Sequence, residues 1–138
     1  MSNAPQSNFS RTVVVADDDP AWRLLVRLIL EPQGYRLVEA SDGLDALRAV
    51  QTCTPQVLVI DLTMPRMGGL EVCRRLCASG AHPLPGIIVM TATDDFAALP
   101  ELAALGADQM LTKPFDPGRL LRAVERLAAS QQAAGIGS

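Results

Sequence analysis

A chain of 138 residues, about half of them apolar, holds enough material for one ordinary domain with its own core and needs no metal or disulfide staple. Its formal net charge of −3, with both signs interspersed, leaves no basic stripe for nucleic-acid phosphates and argues against direct nucleic-acid binding. Met1 to Ser10 lacks the charged-then-apolar pattern of a secretory signal, and no apolar run approaches the roughly 20 residues of a membrane span, so a soluble cytoplasmic protein without membrane contact is expected.

In chain order, residues 1–10 have few large apolar groups and read as a flexible tail. Thr12 to Ala16 is the first predicted strand; Asp19-Pro20 is a cap-then-proline helix start, with Leu24, Leu28 and Ile29 as the apolar face and Gly34 as a stop. Arg36 to Glu39 is the second strand, and Ser41 opens a helix whose face is Leu44, Leu47 and Val50. Val57 to Ile60 and Ile87 to Met90 are the third and fourth strands. Pro100 falls inside the fourth helix, which should therefore start late or kink, and Gly106 stops it. Gln109 to Thr112 is the fifth strand, and Asp116-Pro117 starts a last helix with Leu120, Val124 and Leu127 facing inward. Residues 11–128 then form the domain, and 129–138 read as a flexible tail or truncated linker.

Strands one, three and four are nearly continuous Val/Ile/Leu runs, the mark of strands buried on both faces. With helices alternating between them, this predicts an α/β fold: a doubly wound, five-stranded parallel sheet of (βα)5 type. Cys53, Cys73 and Cys77 are an odd set suited to a reducing compartment. All three read as structural, since Cys73 and Cys77 share a helix face but no further Cys or His completes a zinc set. The lone His82 reads as an exposed loop residue without a role.

In such a sheet, ligands bind at the edge where strands give way to helices. There the sequence places Asp17-Asp18-Asp19 after strand one, Asp61 after strand three, Thr91 at the close of strand four and Lys113-Pro114 after strand five. Singly these are a helix cap, a strand-end hydroxyl and a solvated lysine; together they form one polar cluster. Crowded carboxylates repel, and a hard, oxygen-seeking cation such as magnesium relieves them. A carboxylate can also attack phosphorus when a cation and a lysine neutralise the equatorial oxygens, parts that Asp61, Lys113 and Mg2+ would supply.

The segments Val-Val-Val-Ala-Asp17-Asp18-Asp19-Pro20, Val-Ile-Asp61-Leu-Thr-Met-Pro65-Arg-Met-Gly-Gly69, Met90-Thr91-Ala92 and Thr112-Lys113-Pro114-Phe115 resemble the motifs of response-regulator receiver domains, over about Arg11 to Ala128. Gly106-Ala107-Asp108 ahead of the last strand also fits. The resemblance implies the flavodoxin-like strand order 2-1-3-4-5. It implies Asp61 as the phosphoacceptor, and Asp18, Asp61 and the Thr63 main-chain carbonyl as magnesium ligands, with Asp17 acting through water. It also implies Lys113 as partner of the phosphoryl oxygens, Thr91 as a hydroxyl that shifts after transfer, and a cis Lys113-Pro114 bond. The partners implied are a histidine kinase or phosphotransfer domain and an effector, with a phosphorylation-dependent homodimer as one form of output. Such a chain is a switch, not a metabolic enzyme, catalysing only its own phosphoryl transfer and autodephosphorylation.

Two departures touch the switch. Where many receivers carry an aromatic on the fifth strand, this chain has Met110, an adaptable side chain that predicts a softer switch, and Pro100 affects the same surface. Thr63 and Thr93, flanking the site, are small and uncharged, and Trp22 reads as a packed or half-exposed aromatic near the acidic end. Two alternatives compete. A haloacid-dehalogenase-type phosphatase would want Asp where Thr63 stands; a constitutive binding module would not need the full Asp, Thr and Lys set.

Overall fold

The computed structural model describes residues 11–80, 84–92 and 97–137, with side chains to residue 131. His82, Thr93 and the N-terminal segment 1–10 lie outside the described residues. The elements alternate: β1 (Thr12–Ala16), α1 (Pro20–Leu30), β2 (Arg36–Ala40), α2 (Gly43–Cys53), β3 (Val57–Asp61), α3 (Gly69–Ala78), β4 (Gly86–Thr91), α4 (Leu99–Ala104), β5 (Ala107–Thr112) and α5 (Pro117–Gly137). The strands pair in parallel in the order β2-β1-β3-β4-β5.

The period-two geometry of a strand sends alternate residues of these apolar runs into two separate cores. Val13, Val15, Val57, Val59, Ile88 and Met90 pack with Val26 and Leu30 of α1 and Leu120, Val124 and Leu127 of α5. Val14, Leu58, Ile60, Ile87 and Val89 pack on the other face with Ala46 and Val50 of α2, Val72 and Leu76 of α3, and Leu102 of α4. Every residue of β1, β3 and β4 is buried, which is why these runs show no polar alternation. The chain runs outward from β1 to β2 and then back past β1 to β3, so a crevice opens at the carboxyl ends of the central strands.

Four local expectations need correction. Leu24 and Leu28 do not cover the sheet but are 52% and 61% exposed. At about 100° per residue they stand about 200° around α1 from Val26, and the buried stripe is Val26 and Leu30 with Ile29 beside them. The cap of α2 is Asp42, not Ser41: its Oδ1 accepts from the Asp45 amide at 2.9 Å. Helix α5 continues to Gly137 rather than ending near Ala128, because Ala and Gln are good helix formers and Gln131 Nε2 donates to the Leu84 carbonyl at 2.8 Å. Cys73 is buried, and burial pushes its thiol up to about 11, whereas Cys77 is exposed; the roughly 40° drift over four residues carries it off the buried stripe. Helix α4 does start late, at Leu99, with Pro100 in its first turn where no amide donor is required.

Candidate functional site

The carboxyl ends of β1 and β2, of β3 and β4, and of β4 and β5 are tied pairwise by main-chain bonds that outlast the strands. Asp17 N donates to Ala40 O at 3.1 Å, Leu62 N to Met90 O at 2.8 Å, and Lys113 N to Thr91 O at 2.7 Å. The β3–α3 loop folds back onto the end of its own strand, with Gly69 N bonded to Leu62 O at 2.9 Å. A Cβ on Gly69 would lie 2.7 Å from the Asp61 carbonyl oxygen, so the close approach requires glycine.

On this frame Asp17 is fully buried, Asp61 is 6% exposed, and Asp18 is exposed. One carboxylate oxygen from each of the three falls within 4.8 Å of the others. Asp17 Oδ2 accepts from Lys113 Nζ at 2.6 Å, and Asp61 Oδ2 from the same ammonium at 3.3 Å. Asp17 is held at its remaining edges: its Oδ1 accepts from the Asp19 amide at 2.9 Å, and its carbonyl accepts from Arg23 Nη1 at 2.7 Å. Asp61 Oδ1 accepts from the Thr63 amide at 3.3 Å. Burial, reinforced by the Asp17 charge, holds the Asp61 carboxyl above the usual carboxylate range, against the pull of Lys113 and the Thr63 amide.

Three carboxylates facing one ammonium leave negative charge in excess. A hard divalent cation fits that donor set, which is all oxygen, partly exposed through Asp18 and closely spaced. The Thr63 carbonyl, the other ligand expected, belongs to the turn that Asp61 Oδ1 ties down.

Thr91 is buried at the end of β4, one residue beyond the Asp61–Met90 register pair. Met110 pairs with Val89 and packs on the face of the sheet that carries α4, the face that Thr91 shares by alternation. The Lys113–Pro114 peptide is cis.

Two sets of neighbours were not legible beforehand. The Trp22 ring lies under the Lys113 ammonium and against Phe115; its place in the first turn of α1, beside the acidic triplet, was the only signal. Arg66, in left-handed backbone at φ 67°, bonds Asp42 Oδ2 through Nε at 3.0 Å and through a second guanidinium nitrogen, tying the β3–α3 loop to the cap of α2. No sequence signal marks that pair, 24 residues apart.

The family model for the response regulator receiver domain matches residues 13–125. The chain belongs to the response-regulator receiver family. Among curated relatives, this receiver is 41% identical over 115 residues to the response regulator MprA of Mycobacterium ulcerans, a match covering 83% of this chain and 49% of the relative. The chain thus spans about half the length of the curated relatives it matches. Among solved structures it resembles the signal receiver domain of a response regulator from Bermanella marisrubri, at 33% identity and a TM-score of 0.78 over 86% of this chain and 98% of that one. It also resembles the chemotaxis protein CheY4 of Vibrio cholerae, at 30% identity and a TM-score of 0.77 over 86% and 98%. The flavodoxin-like receiver fold and its place in two-component signalling follow from these matches. No helix among the described residues is long and apolar enough to cross a membrane.

Proposed function

We propose that this receiver is a phosphorylation-competent switch in which Asp61 accepts a phosphoryl group from a histidine kinase or phosphotransfer protein in the cytoplasm. One observation carries the reading: a single buried ammonium, Lys113, reaches both Asp61 and Asp17 while a third carboxylate, Asp18, stands within 4.8 Å. In the transfer, an Asp61 oxygen forms its bond to phosphorus as the phosphorus–nitrogen bond of the donor phosphohistidine breaks and its electron pair leaves on the imidazole nitrogen.

Asp18, Asp61 and the Thr63 carbonyl would hold magnesium, with Asp17 acting through water. When bound, the ion neutralises charge on the phosphoryl oxygens. The other parts belong to the chain. Lys113 offers donors to the same oxygens, and Asp17 anchors Lys113 at 2.6 Å. The Thr63 amide orients the Asp61 carboxylate. The excess negative charge of the three carboxylates is what a cation and then a phosphoryl group rearrange.

Thr91 would then move toward the new oxygens, and Met110, on the same face, would fill the vacated space. The reader of that change is the α4–β5 surface, where Val89, Leu99, Leu102 and Met110 line a groove; an effector or a second copy of the chain would dock there.

The test is exposure to acetyl phosphate with and without magnesium, followed by intact mass. A magnesium-dependent gain of one phosphate that disappears in Asp61→Asn supports the reading. Folded protein that gains no phosphate would instead behave as a constitutive binding module.

A further inference from the structure

Lys113 is held by more than its two carboxylates. Its ammonium lies 4.8 Å from the centroid of the Trp22 ring, and that ring packs, tilted, against Phe115 at 5.4 Å between centroids. Trp22 comes from the first turn of α1 and Phe115 from the segment after β5, so the ring contact joins two elements far apart in sequence over the lysine. The lysine side chain is only 8% exposed.

An ammonium carries three donors. Asp17 Oδ2 at 2.6 Å and Asp61 Oδ2 at 3.3 Å account for two partners, and the indole π face supplies a third that is not water. The two carboxylate bonds are unequal, and the shorter one pulls the lysine toward Asp17, away from the acceptor. A π face attracts a cation without a single acceptor atom, so an ammonium can slide across it and stay desolvated.

We propose that Trp22 is a positioning residue for phosphoryl transfer: its indole face holds the Lys113 ammonium in the site, within reach of both Asp17 and Asp61, and keeps it out of solvent as it moves onto the phosphoryl oxygens. The inference rests on Asp61 being the acceptor. An aliphatic residue at this position could cover the lysine stem but would give the third face of the ammonium no partner as it leaves the Asp17 bond.

The experiment offers acetyl phosphate to wild type, Trp22→Phe and Trp22→Leu at saturating magnesium. An Asp61 oxygen bonds to phosphorus as the phosphorus–oxygen bond to acetate breaks, its electron pair leaving on acetate. Phosphoprotein formation is timed by intact mass, and magnesium affinity is measured by calorimetry. Loss of the cation–π contact should slow Trp22→Leu by about tenfold. Trp22→Phe should fall between it and wild type, and magnesium affinity should stay within about twofold in both, because the ring's charge contact is with the lysine. Equal rates in all three proteins would overturn the proposal. So would an equal fall in rate and magnesium affinity in both variants, which marks a distorted site. If Trp22→Leu does not fold, Trp22→Phe decides alone, with a slowing of about threefold expected. No transfer to wild type would refute the acceptor reading itself, and this inference with it.

Discussion

Gly43 is where the helix that follows β2 meets the loop that follows Asp61. A Cβ built there would lie 2.3 Å from the Met67 carbonyl oxygen, 2.6 Å from its Cβ and 2.8 Å from its Cγ. Ordinary carbon contacts begin near about 3.5 Å, so Gly43→Ala must drive α2 and the β3–α3 loop apart by about 1 Å. Overpacking of this kind costs about 1–3 kcal/mol. In a domain of this size that is a fall in Tm of about 3–12 °C. The loop it displaces includes Thr63 and is tied to Asp42 through Arg66, so phosphoryl uptake by Asp61 should slow as well. Urea unfolding should show a lower midpoint at unchanged slope, since the same surface is exposed. Gly106→Ala is the control: nothing lies within 4 Å of its Cβ, but its φ of +98° imposes a backbone cost of about 1–2 kcal/mol without moving the loop. If Gly43→Ala melts with wild type and takes up phosphate at the wild-type rate, α2 and the loop are not packed as described.

Leu24→Ser and Leu28→Ser should change stability by no more than about 0.5 kcal/mol, whereas Leu30→Ala, fully buried on the same helix, should cost about 2–5 kcal/mol in denaturant unfolding. Hydrogen bonds from Arg23 and Arg27 hold the Glu39 carboxyl below the usual carboxylate range. The stability this confers is present above the unfolded carboxylate value of about 4.3 and is lost as pH falls through the lower folded value. With both partners partly exposed, Glu39→Gln should therefore cost no more than about 1 kcal/mol at neutral pH, and its Tm should converge on wild type in acid. Magnesium at 100 times its dissociation constant should stabilise wild type by about 2.7 kcal/mol, reversibly with chelator, and Asp61→Asn far less, as read by thermal melts.

The parallel sheet was legible because its information is local and repeated: unbroken apolar runs in β1, β3 and β4 leave little alternative to burial on both faces. That Asp17, Asp18, Asp61 and Lys113 come together was legible for a related reason, since each stands at or just after the end of a strand that the pattern located, and strand ends of a parallel sheet converge. Helix faces were less so. In α1, Leu24 and Leu28 make as good a periodic stripe as Val26 and Leu30, and only the tertiary fold chooses between them. The end of α5 was misplaced because a run of Ala and Gln has little apolar surface but high helix propensity, and its anchor at Leu84 lies 47 residues away in sequence. Contacts such as Trp22 with Lys113 and Arg66 with Asp42 depend on where loops turn, and periodicity carries no record of that.

Phosphoryl transfer would end on one carboxylate, Asp61, and borohydride reduction reads it directly, because an aspartyl phosphate is reduced to homoserine while a free aspartate is not. Protein treated with acetyl phosphate and magnesium, reduced and mapped by peptide mass spectrometry, should show homoserine at position 61 and aspartate at Asp17 and Asp18. Homoserine at either of those neighbours instead, or at none of the three, would contradict the account.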